Sequence, residues 1–175
     1  MPTSEAYFEL TSTTENGVYI KIKDGCLKEA ITIPLTYGEK TVIGLSASVN
    51  GVKRIYCMDD NEIAYIGEDF KTDRVDFEYI DFNRMQHLAV IGDNAFKGCT
   101  SLQCTELSDS IEEIQIRAFD GCSKIAITKL PANLQLIQGY AFRDCSSITN
   151  FSFKNSALLT TIPTYCFSGC LNLTL

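Results

Sequence analysis

The sequence predicts an α/β solenoid: a right-handed coil with a parallel sheet on one face, short helical turns on the other, and an N-terminal β-hairpin cap. Three observations predict it. A nine-residue unit recurs as IGDNAFKGC (91–99), IQIRAFDGC (114–122), IQGYAFRDC (137–145) and IPTYCFSGC (162–170), at spacings of 23, 23 and 25 residues. A short alternating stretch recurs between the copies with a matching period. The composition, 45% hydrophobic and 21% charged over 175 residues, is that of a globular chain able to bury a substantial core. A fixed period of this size marks an array in which each unit is one coil and stacks only on its neighbours.

Residues 7–23 read as a hairpin. Val18, Ile20 and Ile22 alternate with Tyr19, Lys21 and Lys23, and Asn16-Gly17 supplies the turn. Residues 1–25 are assigned as the cap, because the first coil of a solenoid has one face without a neighbour. The solenoid then covers 26–175 in about six coils, the first two degenerate and the last incomplete. AITIP (30–34) alternates and stops at Pro34. IGLSASVNG (43–51) is a worn copy of the nonamer, keeping Ile43 and Ala47 and replacing Phe and Cys by Ser48 and Gly51. A second worn copy starts at Ile66, with Phe70 one place early. The anchors are therefore Ile43, Ile66, Ile91, Ile114, Ile137 and Ile162.

The intervening stretches VKRIYC (52–57), FEYIDF (77–82), LQCTEL (102–107), IAITKL (125–130) and ITNFSF (148–153) read as short parallel strands. Their fourth and sixth residues are expected inside: Ile55/Cys57, Ile80/Phe82, Thr105/Leu107, Thr128/Leu130 and Phe151/Phe153. Their third and fifth are expected outside. Positions 1, 5 and 9 of the nonamer follow i, i+4, i+8 spacing, which predicts that Ile, Ala and Cys share one face of a short helical turn. Phe96, Phe119, Phe142 and Phe167 then form a stacked row, each buried ring worth about 1.5–3 kcal/mol.

Cys99, Cys122, Cys145 and Cys170 occupy one repeated place, which predicts packing as reduced, buried thiols. Helical turns about 8–10 Å apart would be too far for a disulfide, which needs Cα atoms roughly 4.4–6.8 Å apart.

The order I-x-x-x-A-F-x-x-C-x-x-L/I, followed by a short strand, resembles the BspA-like leucine-rich repeats. The resemblance spans roughly residues 27–175 and is specific over 91–170; the Asn ladder of commoner leucine-rich repeats is missing. It implies a curved parallel-sheet solenoid, found in surface adhesion or binding modules and in related phage proteins. It brings no catalytic motif and no cofactor.

The net charge of −7 and pI near 4.7 exclude an extended nucleic-acid or anionic-membrane surface. No stretch of sequence could span a bilayer, so membrane insertion is not expected. MPTSEAYFEL lacks the basic start and apolar run of a secretory signal. With Met1 native, that implies another export route, a cytoplasm or a particle.

The lone His87 has no spacing that suggests a Cys–His pair. The repeated cysteines form a row rather than a zinc cluster. MDDNE (58–62) lacks the ligand order of a calcium loop and reads as a solvated acidic loop. Asn150 and Asn172 open glycosylation triplets, which matter only in a eukaryotic secretory pathway.

The outward strand positions Arg54, Tyr56, Tyr79, Asp81, Glu106, Lys129, Asn150 and Ser152 are the candidate binding face, for a protein or a surface glycan. Cys104 and Ile127 are expected to share that face. The stretch LNLTL is expected to leave Phe167, Leu171, Leu173 and Leu175 open at the last coil. That offers a surface for homo-oligomerisation or docking into a larger assembly. Two functions follow as expectations: a non-enzymatic binding module at a cell surface, or a structural subunit of a virion or other particle.

Overall fold

The alternation at 18–22 is realised as a strand. β2 (Val18–Ile22) buries its three aliphatic residues and pairs antiparallel with β1 (Phe8–Thr13). A computed structural model describes residues 4–24, 26, 28–47, 51–153 and 156–174. Beyond the hairpin come β3 (Ala30–Ile33), β4 (Thr36–Tyr37), β5 (Lys40–Leu45), β6 (Arg54–Cys57), β7 (Tyr65–Ile66) and β8 (Tyr79–Ile80). β9 (Val90–Ile91), β10 (Glu113–Ile114) and β11 (Leu136–Ile137) complete the set.

These strands form two mostly parallel flanks rather than the single one expected. One sheet runs β1-β2-β5-β7-β9-β10-β11, with β4 against β5; the other runs β3-β6-β8. The first flank is built from the anchors themselves. Ile66, Ile91, Ile114 and Ile137 are in register along it, all buried. Leu45, not Ile43, is the residue in register with Ile66, so the first worn copy has a different anchor. Ser48, part of that copy, lies outside the described residues. The second flank is the predicted one, with Ile31, Ile55 and Ile80 in register and buried. Further along it thins to isolated parallel bridges, Cys104–Ile125, Lys129–Ser152 and Asn150–Thr174.

The helical turns are not there. Among the described residues helix is limited to two 3₁₀ turns, Ser4–Tyr7 and Phe82–Arg84. The reason lies at the fourth and eighth places of each nonamer. Asn94, Arg117, Tyr140 and Tyr165 in the fourth place have φ of +53° to +62°. Gly98, Gly121, Asp144 and Gly169 in the eighth have φ of +58° to +79°. A left-handed residue every fourth position ends each turn before α-helical bonding can propagate. Gly98 is favoured on a second ground, since a Cβ there would lie 2.5 Å from the Asp73 carboxylate and 3.1 Å from its Cα.

What replaces the helix is a ladder between coils. The N–H groups of Asn94, Phe96 and Gly98 donate to the carbonyls of Ile116, Ala118 and Asp120 in the next coil. Arg117, Phe119 and Gly121 donate in the same way to Gly139, Ala141 and Arg143. The backbone is thus satisfied by the neighbouring coil, and positions 1, 5 and 9 still point inward, except in the last copy, where the expected anchor Ile162 is 43% exposed.

The phenylalanine row is present. Phe96 and Phe119 stack at 5.3 Å and 8°, Phe119 and Phe142 at 5.2 Å and 6°, Phe142 and Phe167 at 5.4 Å and 9°. Phe82 meets both Phe96 and Phe119 edge-on. Such pairs add about 0.5–1.5 kcal/mol each beyond area burial.

The cysteines make a second row. All eight are free and seven are buried. The thiols of Cys99, Cys122, Cys145 and Cys170 donate, at 3.0–3.1 Å, to the carbonyls of Lys71, Phe96, Phe119 and Phe142 in the preceding coil. A small apolar side chain with one weak donor suits this place, since it fills the core and reaches a carbonyl at once.

Candidate binding face

Parallel pairing of β6 with β8 puts Arg54 beside Tyr79 and Ile55 beside Ile80. With Ile55 and Ile80 turned inward, Arg54, Tyr56 and Tyr79 are left on the outer side. The rings of Tyr56 and Tyr79 lie 5.4 Å apart at 42°. Arg54 Nε donates to the Glu78 carboxylate at 2.8 Å, and Lys53 pairs with Glu29 at 3.0 Å. The Tyr79 hydroxyl donates to Asp81 at 3.2 Å, which holds its ring in place. Burial, with the Asp81 carboxylate second, pushes the Tyr79 phenol above its ordinary value.

Two clefts meet at Tyr79. The one toward β6, about 250 Å³, is lined by Arg54, Tyr56, Glu78, Tyr79 and Gln103. The other, about 230 Å³, runs past Tyr79, Asn83, Gln103, Cys104 and Glu106. Cys104 keeps some exposed surface, yet its thiol donates to the Glu106 carbonyl, and burial pushes its pKa up to about 12. At neutral pH it is protonated and a poor nucleophile.

The expected outward residues do not all share this face. Arg54, Tyr56, Tyr79 and Glu106 gather at the clefts. Asp81 is instead buried, 8% exposed, because the 3₁₀ turn that follows brings Arg84 back to it at 3.3 Å. Ile127 is also buried, at 1%, while Thr105 and Thr128, expected inside, are exposed. Where the flank thins to single bridges, strand alternation no longer sets which side a residue takes. Lys129 pairs with Asp109 at 3.4 Å; Asn150 accepts from the Thr174 hydroxyl; Ser152 is exposed and its N–H donates to Thr128. These three lie on later coils and do not line the clefts. Sequence reasoning missed Glu78, Asn83 and Gln103, which flank the predicted strands as polar residues.

At the last coil Phe167 is half-buried, covered by Phe142, Phe151 and Phe153 rather than left open. Phe153, expected inside, is 37% exposed. Leu173 is half-buried against the core and Leu171 is 88% exposed. Leu175 lies outside the described residues. Ile162 and Tyr165 are exposed too, Tyr165 stacking on Tyr140 at 5.3 Å.

His87 is exposed, 3.8 Å from the Glu62 carboxylate, and among the described residues no group of three His, Cys, Asp or Glu could hold a metal. In the MDDNE loop Asp59 pairs with Arg84, and the Asn61 amide donates to two backbone carbonyls. Among the described residues no helix is long and apolar enough to cross a membrane.

Comparison with known proteins gives the same architecture. The model of the BspA type leucine rich repeat region matches residues 65–175 in six copies. A leucine-rich repeat protein from Bacteroides ovatus superposes with a TM-score of 0.78 at 24% identity, over 95% of this chain and 44% of that one. The T. pallidum leucine rich repeat protein gives 0.52 at 18% identity, over 85% of this chain and 69% of that one. The chain thus spans less than half the length of the B. ovatus protein. A search of curated proteins gives no match. With the family's repeat matching well over half of its length, the chain belongs to the BspA type leucine-rich repeat family.

Proposed function

We propose that the chain is a non-enzymatic, surface-associated binding module that engages a protein through the face around Tyr56 and Tyr79. The observation that carries this reading is the pair of tyrosine rings 5.4 Å apart, with Tyr79 shared by two clefts and the Arg54–Glu78 ion pair lining one of them. Tyrosine offers wide contact area with a polar tip at low entropic cost, which is why it recurs among interface anchors. The hairpin of β1 and β2 is read as the cap of the array.

The test is an array of extracellular matrix proteins and surface glycans probed with the isolated chain. Tyr56→Ala combined with Tyr79→Ala is expected to weaken any saturable protein binding at least tenfold, about 1.4 kcal/mol, with the variant still folded by circular dichroism. Undiminished binding by the double variant would move the interface elsewhere. A second reading, assembly through the last coil as in a virion subunit, rests on exposed Ile162, Tyr165 and Leu171. Light scattering on the same samples separates the two.

A further inference from the structure

The cleft beside Tyr79 is built for a charge as well as a shape. Tyr79 lines it, and a tyrosine ring attracts cations through its π face. Gln103 and Asn83 add amide groups, and Glu106 a carboxylate. The other charged groups of this face are already matched. Arg54 is taken by Glu78, Lys53 by Glu29, and Arg84, on the turn behind it, by Asp81 and Asp59. Glu106 is in no ion pair among the described residues, so the cleft carries one uncompensated negative charge. At about 230 Å³ it is below the roughly 300 Å³ at which drug-sized pockets begin, a size that suits one side-chain head.

We infer that this cleft takes the positively charged head of an arginine or lysine presented by an extended basic peptide, seated on the Tyr79 ring with Glu106 as its counter-ion. This deepens the protein-binding reading and rests on it. The chain's charge of −7 steers such a segment inward, and Tyr56 and the second cleft receive the residue beside it. Anionic ligands are repelled by the same carboxylate, and a neutral glycan leaves its charge unused.

The test is an NMR titration of the full chain with acetyl-Gly-Arg-Gly-amide, with its uncharged isostere containing citrulline, and with maltotriose. The arginine peptide is expected to shift the Tyr79, Gln103 and Cys104 amide resonances saturably. The citrulline peptide should bind at least tenfold more weakly. Glu106→Gln should weaken the arginine peptide at least fivefold. Glu39→Gln, which removes the same charge in the turn between β4 and β5, should leave it unchanged. Equal binding of the citrulline peptide, preference for maltotriose, or full affinity in Glu106→Gln would overturn the inference. If the citrulline peptide binds equally at Tyr79, the protein-binding reading stands and only charge selection falls. If the peptides shift no resonance on this face, both fall.

Discussion

Replacing Phe119 by alanine is expected to lower the unfolding free energy by about 3–5 kcal/mol, the range for deleting a buried aromatic ring. Phe119 is fully buried, stacked on Phe96 and Phe142 at 5.3 and 5.2 Å and touched edge-on by Phe82. Alanine would open a void in the middle of the row and remove both stacking contacts. The stability of an array is a sum of unit and interface contributions, so a central loss weakens the coupling of both halves. Against a typical total of about 5–15 kcal/mol, that is a large fraction. Phe167→Ala should cost less, since that ring is half-buried with a stacked neighbour on one side. With no tryptophan in the chain, circular dichroism in urea is the suitable readout. A loss below about 1 kcal/mol for Phe119→Ala would deny the row its part in stability.

The second large effect is alkaline unfolding. Burial pushes the thiols of Cys57, Cys99 and Cys166 up to about 12, and those of Cys122 and Cys145 well above their ordinary value. In the unfolded chain a thiol loses its proton near pH 8.5. Above that pH the folded state holds more protons than the unfolded one, so stability falls as pH rises. The thiol contribution is fully present below about pH 8.5 and is lost progressively toward pH 12. Each pH unit in that window costs about 1.4 kcal/mol per thiol. Several thiols titrating in the same direction make this loss large against a typical stability of about 5–15 kcal/mol.

Lys71 acts in the opposite sense. Burial lowers its pKa to about 8, so it favours the folded state increasingly as pH rises from about 8 to 10.4. It is one group against at least five. Urea midpoints at pH 7.5, 9.0 and 10.5, under reducing conditions, should fall steeply over the last interval. A midpoint unchanged to pH 10.5 would contradict buried, protonated thiols.

The array was legible because Ile, Phe and Cys return every 23 to 25 residues, and the in-register Ile66, Ile91, Ile114 and Ile137 follow directly from that period. The helical turns misread the same pattern. Spacing of i, i+4, i+8 also arises when left-handed residues close successive turns, and the signal was Asn94 with Gly98 and the glycines at 121 and 169. Alternation placed Tyr56 and Tyr79 correctly because β6 and β8 are true strands. It failed at Ile127, where single bridges replace a strand, and at Asp81, which Arg84 holds at the rim of the core. Glu106 was legible as an outward carboxylate. That it lines one cleft with Tyr79 depends on how successive coils superpose, which no local pattern encodes.

Amide exchange at Phe96, Phe119 and Phe142 tests the stack most directly. Their N–H groups donate to Ala118, Ala141 and Cys166 of the next coil at 2.8, 2.8 and 2.9 Å, within segments that are otherwise turns. Stacked coils predict exchange as slow as that of the global core and weakened together by Phe119→Ala. Exchange at the rate of exposed turns would mean that the coils do not bind one another through these groups.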